Sequence, residues 1–400
     1  MIRIGVYGGS YNPPHTGHVL AAAELVRELK LDRLLIVPAA TPPHKTLPAG
    51  SPSPEERLSM CEAAFAGLPQ AELCDLELRR PGKSYTVDTL TTLREQYPAD
   101  ELYLILGTDM LLSFRTWREP ERIAKLAKLA VMHRTKDAEL WEEVCREADS
   151  LKREMQADIL TVDNRCISVS STVVRRLLAL GAPWCLEPAV EAMIRQNGWY
   201  LCGAELKGLP YDRLREVSLE LHDEKRRPHV IGTAETAVKL AELWGADPEA
   251  ARRAGILHDI TKALGKNEQL HLCEKYAMML TQRQRENPKL LHAKTGAVVA
   301  REIFGESEAV VSAIRWHTTG KPGMTTLEKI IYIADYMEPN RSFPGVELLR
   351  ELVWKDLDAA VYQGIARTVQ HLREKGKLVD NNSLEALAYY QNLTERSQPK

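Results

Sequence analysis

Apolar residues divide the chain into two regimes. Residues 2–7 (Ile-Arg-Ile-Gly-Val-Tyr) form a short apolar, β-branched stretch that reads as a buried first strand. Residues 19–26 follow with helical spacing, and 33–38 read as a second strand. Residues 39–54 are rich in Pro, Thr, Ser and Gly and read as a long loop. The pattern then predicts a helix over 54–65, strands near 72–78, and a helix opening at 84–90. Further strands fall at 102–106, 128–134 and 159–162. This alternation predicts an α/β fold, a doubly wound parallel sheet of Rossmann-like type, with ligands beyond the carboxyl ends of its strands.

After Trp199-Tyr200-Leu201-Cys202-Gly203 the pattern changes. Alanine and leucine recur at three- and four-residue spacing with no convincing strand, which predicts an all-α domain. Helices should begin near Tyr211, Pro228, Pro248, Pro288, Ser307 and Thr325, with more after Glu347. The expected partition is a first domain at 1–202, a linker at 203–210 and a second domain at 211–400.

Composition changes little in this picture. The 400 residues carry a formal net charge of −2, which gives no reason to expect nucleic-acid coating. Seven scattered cysteines without a Cys-x-x-Cys pair read as reduced thiols of a cytoplasmic protein. No apolar run is long enough to span a membrane, and the N-terminus reads as a strand, not a signal peptide. The expected partners are therefore small molecules, with neither nucleic acid nor membrane.

The first chemistry lies directly after the first strand, in Gly8-Gly9-Ser10-Tyr11-Asn12-Pro13-Pro14-His15-Thr16-Gly17-His18. A strand, a glycine turn and a helix start aim backbone N–H groups and a positive helix end at one point, which suits phosphate. Gly8 and Gly9 are expected to supply positive φ and close approach. His15 and His18 flank the helix start and can face the same point. Imidazole donors beside a polyphosphate suit nucleotidyl transfer, which needs alignment and charge stabilisation but no covalent intermediate. Ser170, Ser171 and Thr172 precede another helical run. Alone they are an ordinary helix cap; with Arg175 and the first motif they make a second anion site.

These two motifs resemble those of the nucleotidyltransferase superfamily with the His-x-Gly-His signature, and in particular the nicotinate-nucleotide adenylyltransferases. Val169 and Val174 are mild departures from its Ile-Ser-Ser-Thr-x-Ile-Arg pattern. The resemblance covers roughly residues 1–200. It implies adenylyl transfer from Mg2+-ATP to nicotinate mononucleotide, giving deamido-NAD and pyrophosphate. It assigns Lys45 to a phosphate-binding loop, and Tyr85 and Thr86 to the helix start that meets the nicotinate carboxylate. It places Asp109 and Trp117 at the nucleotide and the pyridine ring. Taken alone, Trp117 would be a half-buried core aromatic.

The second half is organised by histidines. A borderline divalent metal favours imidazole with carboxylate. His229, His258, Asp259 and Asp335 would make one site; His292 and His317, sharing Asp259, would make another. His258 and Asp259 are expected late in a helix over 248–262. His222, His271 and His371 have no motif around them and read as structural. Lys262 is either a phosphate-neutralising group or a solvated lysine at a helix end. His229, the Gly-Ile-Leu-His-Asp-Ile-Thr-Lys segment and Asp335 resemble the HD phosphohydrolase superfamily. Residues 291–293, 313–320, 327–336 and 338–345 resemble one branch of it, the bacterial symmetrical diadenosine tetraphosphatases. That resemblance covers roughly residues 211–390. It implies a di-iron centre and hydrolysis of diadenosine tetraphosphate to two ADP; the alternatives are hydrolysis of another nucleotide or a nucleotide-binding regulatory module.

Overall fold

The computed structural model describes residues 1–44, 46–133, 137–165, 167–286 and 290–396. Lys45, Arg134, Cys166 and Pro288 lie outside them. The chain divides into two compact units, Met1–Ala204 and Glu205–Lys400.

The first unit holds six strands, β1 (Arg3–Gly9), β2 (Arg33–Pro38), β3 (Ala71–Leu73), β4 (Glu101–Gly107), β5 (Lys128–Met132) and β6 (Ile159–Val162). Their order is β3-β2-β1-β4-β5-β6, and every pairing is parallel. The strand order reverses between β1 and β4, so the ligand crevice of such a sheet opens beyond their carboxyl ends.

Successive residues of a strand face opposite sides, and here each side is a core. Leu34, Ile36, Tyr103, Ile105, Ala130 and Met132 join one apolar cluster with Ala22 and Leu25 of the helix Thr16–Leu29 and Met60 and Phe65 of the helix Pro54–Phe65. Ile4, Val6, Leu35, Val37, Leu104, Leu106, Leu129 and Val131 join the other with Val87 and Leu90 of the helix Thr86–Gln96 and Val144 and Leu151 of the helix Ala138–Met155. Full burial of each large aliphatic side chain contributes about 1.5–3 kcal/mol, so the two-sided cover is a large part of what holds the sheet together. Gly5 is needed in the first core, because a Cβ there would lie 2.6 Å from Leu31 Cδ1.

Three sequence expectations change here. The strand expected near 72–78 is only Ala71–Leu73; Leu78 and Arg79 turn back to the Asp75 carbonyl at 2.9 and 3.1 Å. Gly8 and Gly9 lie in β1 and are absent from the positive-φ residues; Tyr11 makes the turn instead, at φ 43°. The expected linker is largely part of the second unit. Leu206 is buried, Gly208 N–H donates to Phe304 O at 3.1 Å, and Arg253 donates to Leu209 O at 2.9 Å. An apolar side chain and two backbone groups with partners hold this stretch down despite its glycines.

The second unit is helical. Its principal helices are Tyr211–Leu221, Arg227–Trp244, Pro248–Leu257, Lys266–Lys275, Leu291–Glu302, Glu308–Trp316, Thr326–Met337, Leu357–Glu374 and Asn381–Arg396. The helix Lys266–Lys275 was not expected; it is short and mostly polar, so it carries little periodic signal. Among the described residues, no helix is long and apolar enough to cross a membrane.

The helices Arg227–Trp244 and Pro248–Leu257 approach closely at Gly255, where a Cβ would sit 2.6 Å from Ala234 Cα. Neither backbone can yield cheaply, so overpacking should dominate. Gly255→Ala is expected to lower the unfolding free energy by about 1–3 kcal/mol in a denaturant titration.

Candidate functional site

In the first unit the site is built where β1 ends and the helix Thr16–Leu29 begins. His15 is that helix's N-cap, and its backbone N–H donates to His18 Nδ1 at 3.2 Å. His18 therefore carries its ring proton on Nε2, as a donor. The two rings lie 3.7 Å apart between centroids, and both are buried. Gly17 makes this fit possible: a Cβ there would be 2.8 Å from Val169 Cγ1 and 3.1 Å from His15 Nδ1.

The helix Ser171–Ala179 is tied to the same loop. Ser170 caps it by accepting from Val173 N at 3.3 Å, and Ser171 Oγ donates to Pro13 O at 2.9 Å. Arg175 donates to Asn12 O at 2.6 Å and to Thr172 Oγ1 at 3.2 Å. Two helix N-termini thus meet at the loop 10–14. Arg175 holds that loop in place of the open anion position expected of it, and burial pushes its pKa down.

Arg57 was missed. It is fully buried, and its guanidinium donates to Ser10 O at 2.6 Å and Ala40 O at 3.0 Å. Tyr200 completes the support, donating to Asn12 Oδ1 at 2.6 Å. The signal was present in the sequence: Arg57 shares the 57, 60, 61, 64 stripe of its helix with Met60, Cys61 and Ala64, and a charge within an apolar stripe needs a reason.

Gly8 borders open space, since a Cβ built there would meet nothing within 4 Å, whereas one on Gly9 would lie 3.1 Å from the Tyr11 ring. Ser10 joins the site through its carbonyl to Arg57. Tyr85 is the N-cap of the helix that Thr86 opens, and Asp109 lies in the short helix Thr108–Leu112 that follows β4. Trp117 is half-buried against the core, 5.6 Å from Phe114 and stacked at 6.1 Å on His44 between centroids. Arg118 lies over the Tyr85 ring at 4.8 Å. Lys45 falls outside the described residues.

In the second unit four candidate imidazole ligands converge around the carboxylate of Asp259, and Asp335 joins two of them. Asp259 Oδ2 lies 3.6 Å from His229 Nε2 and 3.5 Å from His258 Nε2. Its Oδ1 lies 3.4 Å from His292 Nε2 and 3.5 Å from His317 Nε2. Asp335 Oδ1 closes the first side, 3.2 Å from His229 Nε2 and 3.7 Å from His258 Nε2.

The outer ring nitrogens explain the orientation. His258 Nδ1 is 2.7 Å from Gly255 O, and His317 Nδ1 is 2.6 Å from Ile314 O. Each is the residue that ends its helix, and each ring N–H satisfies a carbonyl of the last turn. This corrects the expected helix over 248–262. The α-helix ends at Leu257, and 258–264 continue in tighter turns, with Lys262 N–H donating to Asp259 O at 2.8 Å. With Nδ1 protonated, Nε2 of each ring is a lone-pair donor aimed inward.

The set fits divalent metal. His229 Nε2 and His258 Nε2 face each other at 3.2 Å, as do His292 Nε2 and His317 Nε2. Asp259 Oδ1 is buried without a hydrogen bond. Two overlapping ligand groups, His229–His258–Asp335 and His258–Asp259–His317, which share His258, each bring their donor atoms close enough to hold an ion. Burial alone would raise the Asp259 carboxyl, but His258, His229, His317 and Lys262 hold it well below its ordinary value. Burial pushes His258 down to about 3, leaving a neutral imidazole. Burial would also lower His229, but Asp259 and Asp335 outweigh it and raise this ring to about 9. An ion bound there would displace that proton.

Three cations surround the carboxylates. Arg226 donates to Asp259 Oδ2 and Arg341 to Asp335 Oδ1. Lys262 Nζ is 2.9 Å from His292 Nε2 and 3.9 Å from Asp259 Oδ1. A cavity of about 650 Å³, lined by Lys225, Arg226, His229, Glu338, Asn340 and Arg341 among others, opens beside them. The sequence reading gave no role to Arg226, Glu338, Asn340 or Arg341. It also missed Gln269, which bonds Thr261 O at 2.6 Å and Thr295 Oγ1 at 2.6 Å and so joins the turn after Asp259 to the helix carrying His292. His222 is buried with Nδ1 2.7 Å from Ser218 O, as a structural histidine would be.

Comparison with known proteins places both units. The cytidylyltransferase-like family matches residues 6–177, and the HD domain family matches 226–340. A probable nicotinate-nucleotide adenylyltransferase of Shouchella clausii is 35% identical over 202 residues, 50% of this chain and 97% of the relative. A symmetrical bis(5'-nucleosyl)-tetraphosphatase of Bacillus subtilis is 45% identical over 159 residues, 39% of this chain and 84% of the relative. Its counterpart in Halalkalibacterium halodurans is 43% identical over 176 residues, 43% of this chain and 91% of the relative. Fold and site together define a Rossmann-like nucleotidyltransferase joined to a helical HD hydrolase. The first half of the chain belongs to the nicotinate-nucleotide adenylyltransferase family, and the second half to the symmetrical bis(5'-nucleosyl)-tetraphosphatase family.

Because Asp259 lies against both ligand groups, Asp259→Ala is expected to abolish binding of both ions, as counted by metal analysis after loading and desalting. Retention of one ion at wild-type affinity would show that Asp259 serves a single group.

Proposed function

We propose that the chain is a bifunctional enzyme. Its first unit transfers adenylyl from Mg2+-ATP to nicotinate mononucleotide, giving deamido-NAD and pyrophosphate. Its second unit is a metal-dependent hydrolase that cuts diadenosine tetraphosphate to two ADP.

The observation that carries the first activity is the meeting of two helix N-termini at a loop backed by Arg57 and Arg175. A triphosphate along that loop meets Gly8, Gly9, Ser10 and the amides of Ser171 and Thr172. His18, protonated at Nε2, donates to an oxygen of the α-phosphorus, and His15 packs against it. The mononucleotide phosphate oxygen attacks that phosphorus as pyrophosphate leaves from the opposite side. Thr86 and Tyr85 meet the nicotinate carboxylate, Trp117 offers its indole face to the pyridine ring, Asp109 holds the nucleotide and Lys45 adds charge at the phosphates.

The second activity rests on Asp259 standing between two imidazole pairs. His229, His258 and Asp335 would hold one divalent ion, and His292 and His317 the other, with Asp259 against both. Iron at both positions is the reading taken from the family resemblance. Such ions lower the pKa of water and offset charge on phosphate oxygens. Arg226, Arg341 and Lys225 border the adjoining cavity and receive the polyphosphate there. Lys262 stands beside His292 to neutralise a phosphate or leaving group.

The direct test incubates the purified protein with ATP and either nicotinate or nicotinamide mononucleotide, and separately with diadenosine tetraphosphate and iron(II) under reducing conditions. Deamido-NAD from the first and ADP alone from the second are expected. An AMP and ATP pair from the second would overturn symmetrical cleavage, and no turnover would favour a binding module.

Loss of one preorganised donor lowers rate more than affinity. His18→Ala is expected to lower kcat of adenylyl transfer by about 10²–10³-fold while ATP binding changes little. A near-wild-type rate would remove His18 from the catalytic role.

A further inference from the structure

The residues that surround the metal ligands include one buried carboxylate that the reading above leaves without a task. Glu338 directly follows the helix Thr326–Met337, three residues after Asp335, and is 1% exposed. Its Oε1 lies 3.1 Å from His229 Nδ1. Its Oε2 accepts from Asn340 N at 2.7 Å and Asn340 Nδ2 at 2.8 Å. The same Asn340 amide reaches Pro228 O at 3.1 Å, next to His229 in the chain. Arg350 donates to Glu338 O at 2.8 Å, which fixes the backbone at this point.

The helix of His229 is shaped to admit this carboxylate. Gly232 follows His229 by three residues on the same helix face. A Cβ at 232 would stand 2.4 Å from Glu338 Oε2 and 3.1 Å from Asn340 Nδ2. Any other residue here would push the carboxylate out of its seat. Glycine in a helix interior is destabilising relative to alanine, so its place here calls for a steric reason, and the carboxylate supplies one.

His258 and His317 donate Nδ1–H to backbone carbonyls, whereas His229 donates to a carboxylate. A charged acceptor fixes the ring and makes Nε2 a stronger base and a better ligand than a neutral acceptor does. His229 also needs an external anchor. It lies near the start of its helix, without the i−3 carbonyl bond that holds the other two rings.

We propose that Glu338 is a positioning residue for the metal centre, acting through His229 and admitted by Gly232, and that it sets the affinity of the ion held by His229, His258 and Asp335. This inference rests on the metal reading of the six ligands.

The test uses the full chain, stripped of metal and titrated with Mn²⁺, with bound and free ion separated by EPR. Wild-type protein should bind two ions. Glu338→Gln offers one acceptor oxygen where His229 and Asn340 require two. It should weaken one ion by about 10–100-fold and leave the other at wild-type affinity. Gly232→Ala keeps every ligand and the carboxylate itself, and should weaken the same ion. Melting of the metal-free variants separates fold from site. If both variants melt early yet bind both ions as wild type does, Glu338 is structural and the proposal fails. It also fails if the two ions weaken equally. A wild-type protein that binds no Mn²⁺, Fe²⁺ or Zn²⁺ would sink the metal reading itself, and this inference with it.

Discussion

A helix end leaves backbone groups without intrahelical partners, and both halves of the chain build their chemistry on that constraint. In the first unit the exposed ends are N-termini. The helices Thr16–Leu29 and Ser171–Ala179 present amides toward one loop, and a phosphate suits their unmet donors. In the second unit the ends are C-termini. His258 and His317 each turn Nδ1 back to a carbonyl of the last turn, and that bond aims Nε2 inward. The same unmet backbone valence suits a phosphate in one unit and orients imidazoles in the other.

What the sequence could reveal follows from how local each feature is. The strands were legible because each buries both faces against a core, so Leu34 to Val37 and Leu102 to Leu106 stand out as continuous apolar runs. The histidines of the second unit were legible because their neighbours form motifs. The end of the helix at Leu257 was not. Residues 250–257 are strongly helical, and the change to tighter turns at His258 carries no propensity signal of its own. The positive φ went to Tyr11 and not to the two glycines, because both stay in β1 and the turn begins after them. The role of Glu338 needed a contact across 109 residues of chain. Gln269 was hidden by the polar character of its own helix.

Small residues mark where these sites demand close approach. Gly17 lets the first histidine pair pack beside Val169, Gly255 lets the helix of His258 meet the helix of His229, and Gly232 admits Glu338. None of the three has a positive φ. Their requirement is for volume, which is why their meaning emerges only when the neighbouring element is in place. The apolar cores position the helices coarsely, and these contacts set the last few tenths of an ångström between functional groups.

The two sites also differ in how they attract an anion. Behind the first loop stand Arg57 and Arg175; both have their pKa pushed down by burial, and neither forms an ion pair with a carboxylate among the described residues. With two helix N-termini in front, this loop is framed by positive ends, an arrangement that suits an anion. The second site sets Asp259, Asp335 and Glu338 against Arg226, Arg341 and Lys262. Those cations are already paired with carboxylates of the cluster. Added divalent charge at the imidazoles would meet the carboxylates' demand and leave the arginines at the cavity edge to face the substrate. The first site thus draws its positive character from buried arginines and helix ends, whereas the second would draw it from ions held by its imidazoles and carboxylates.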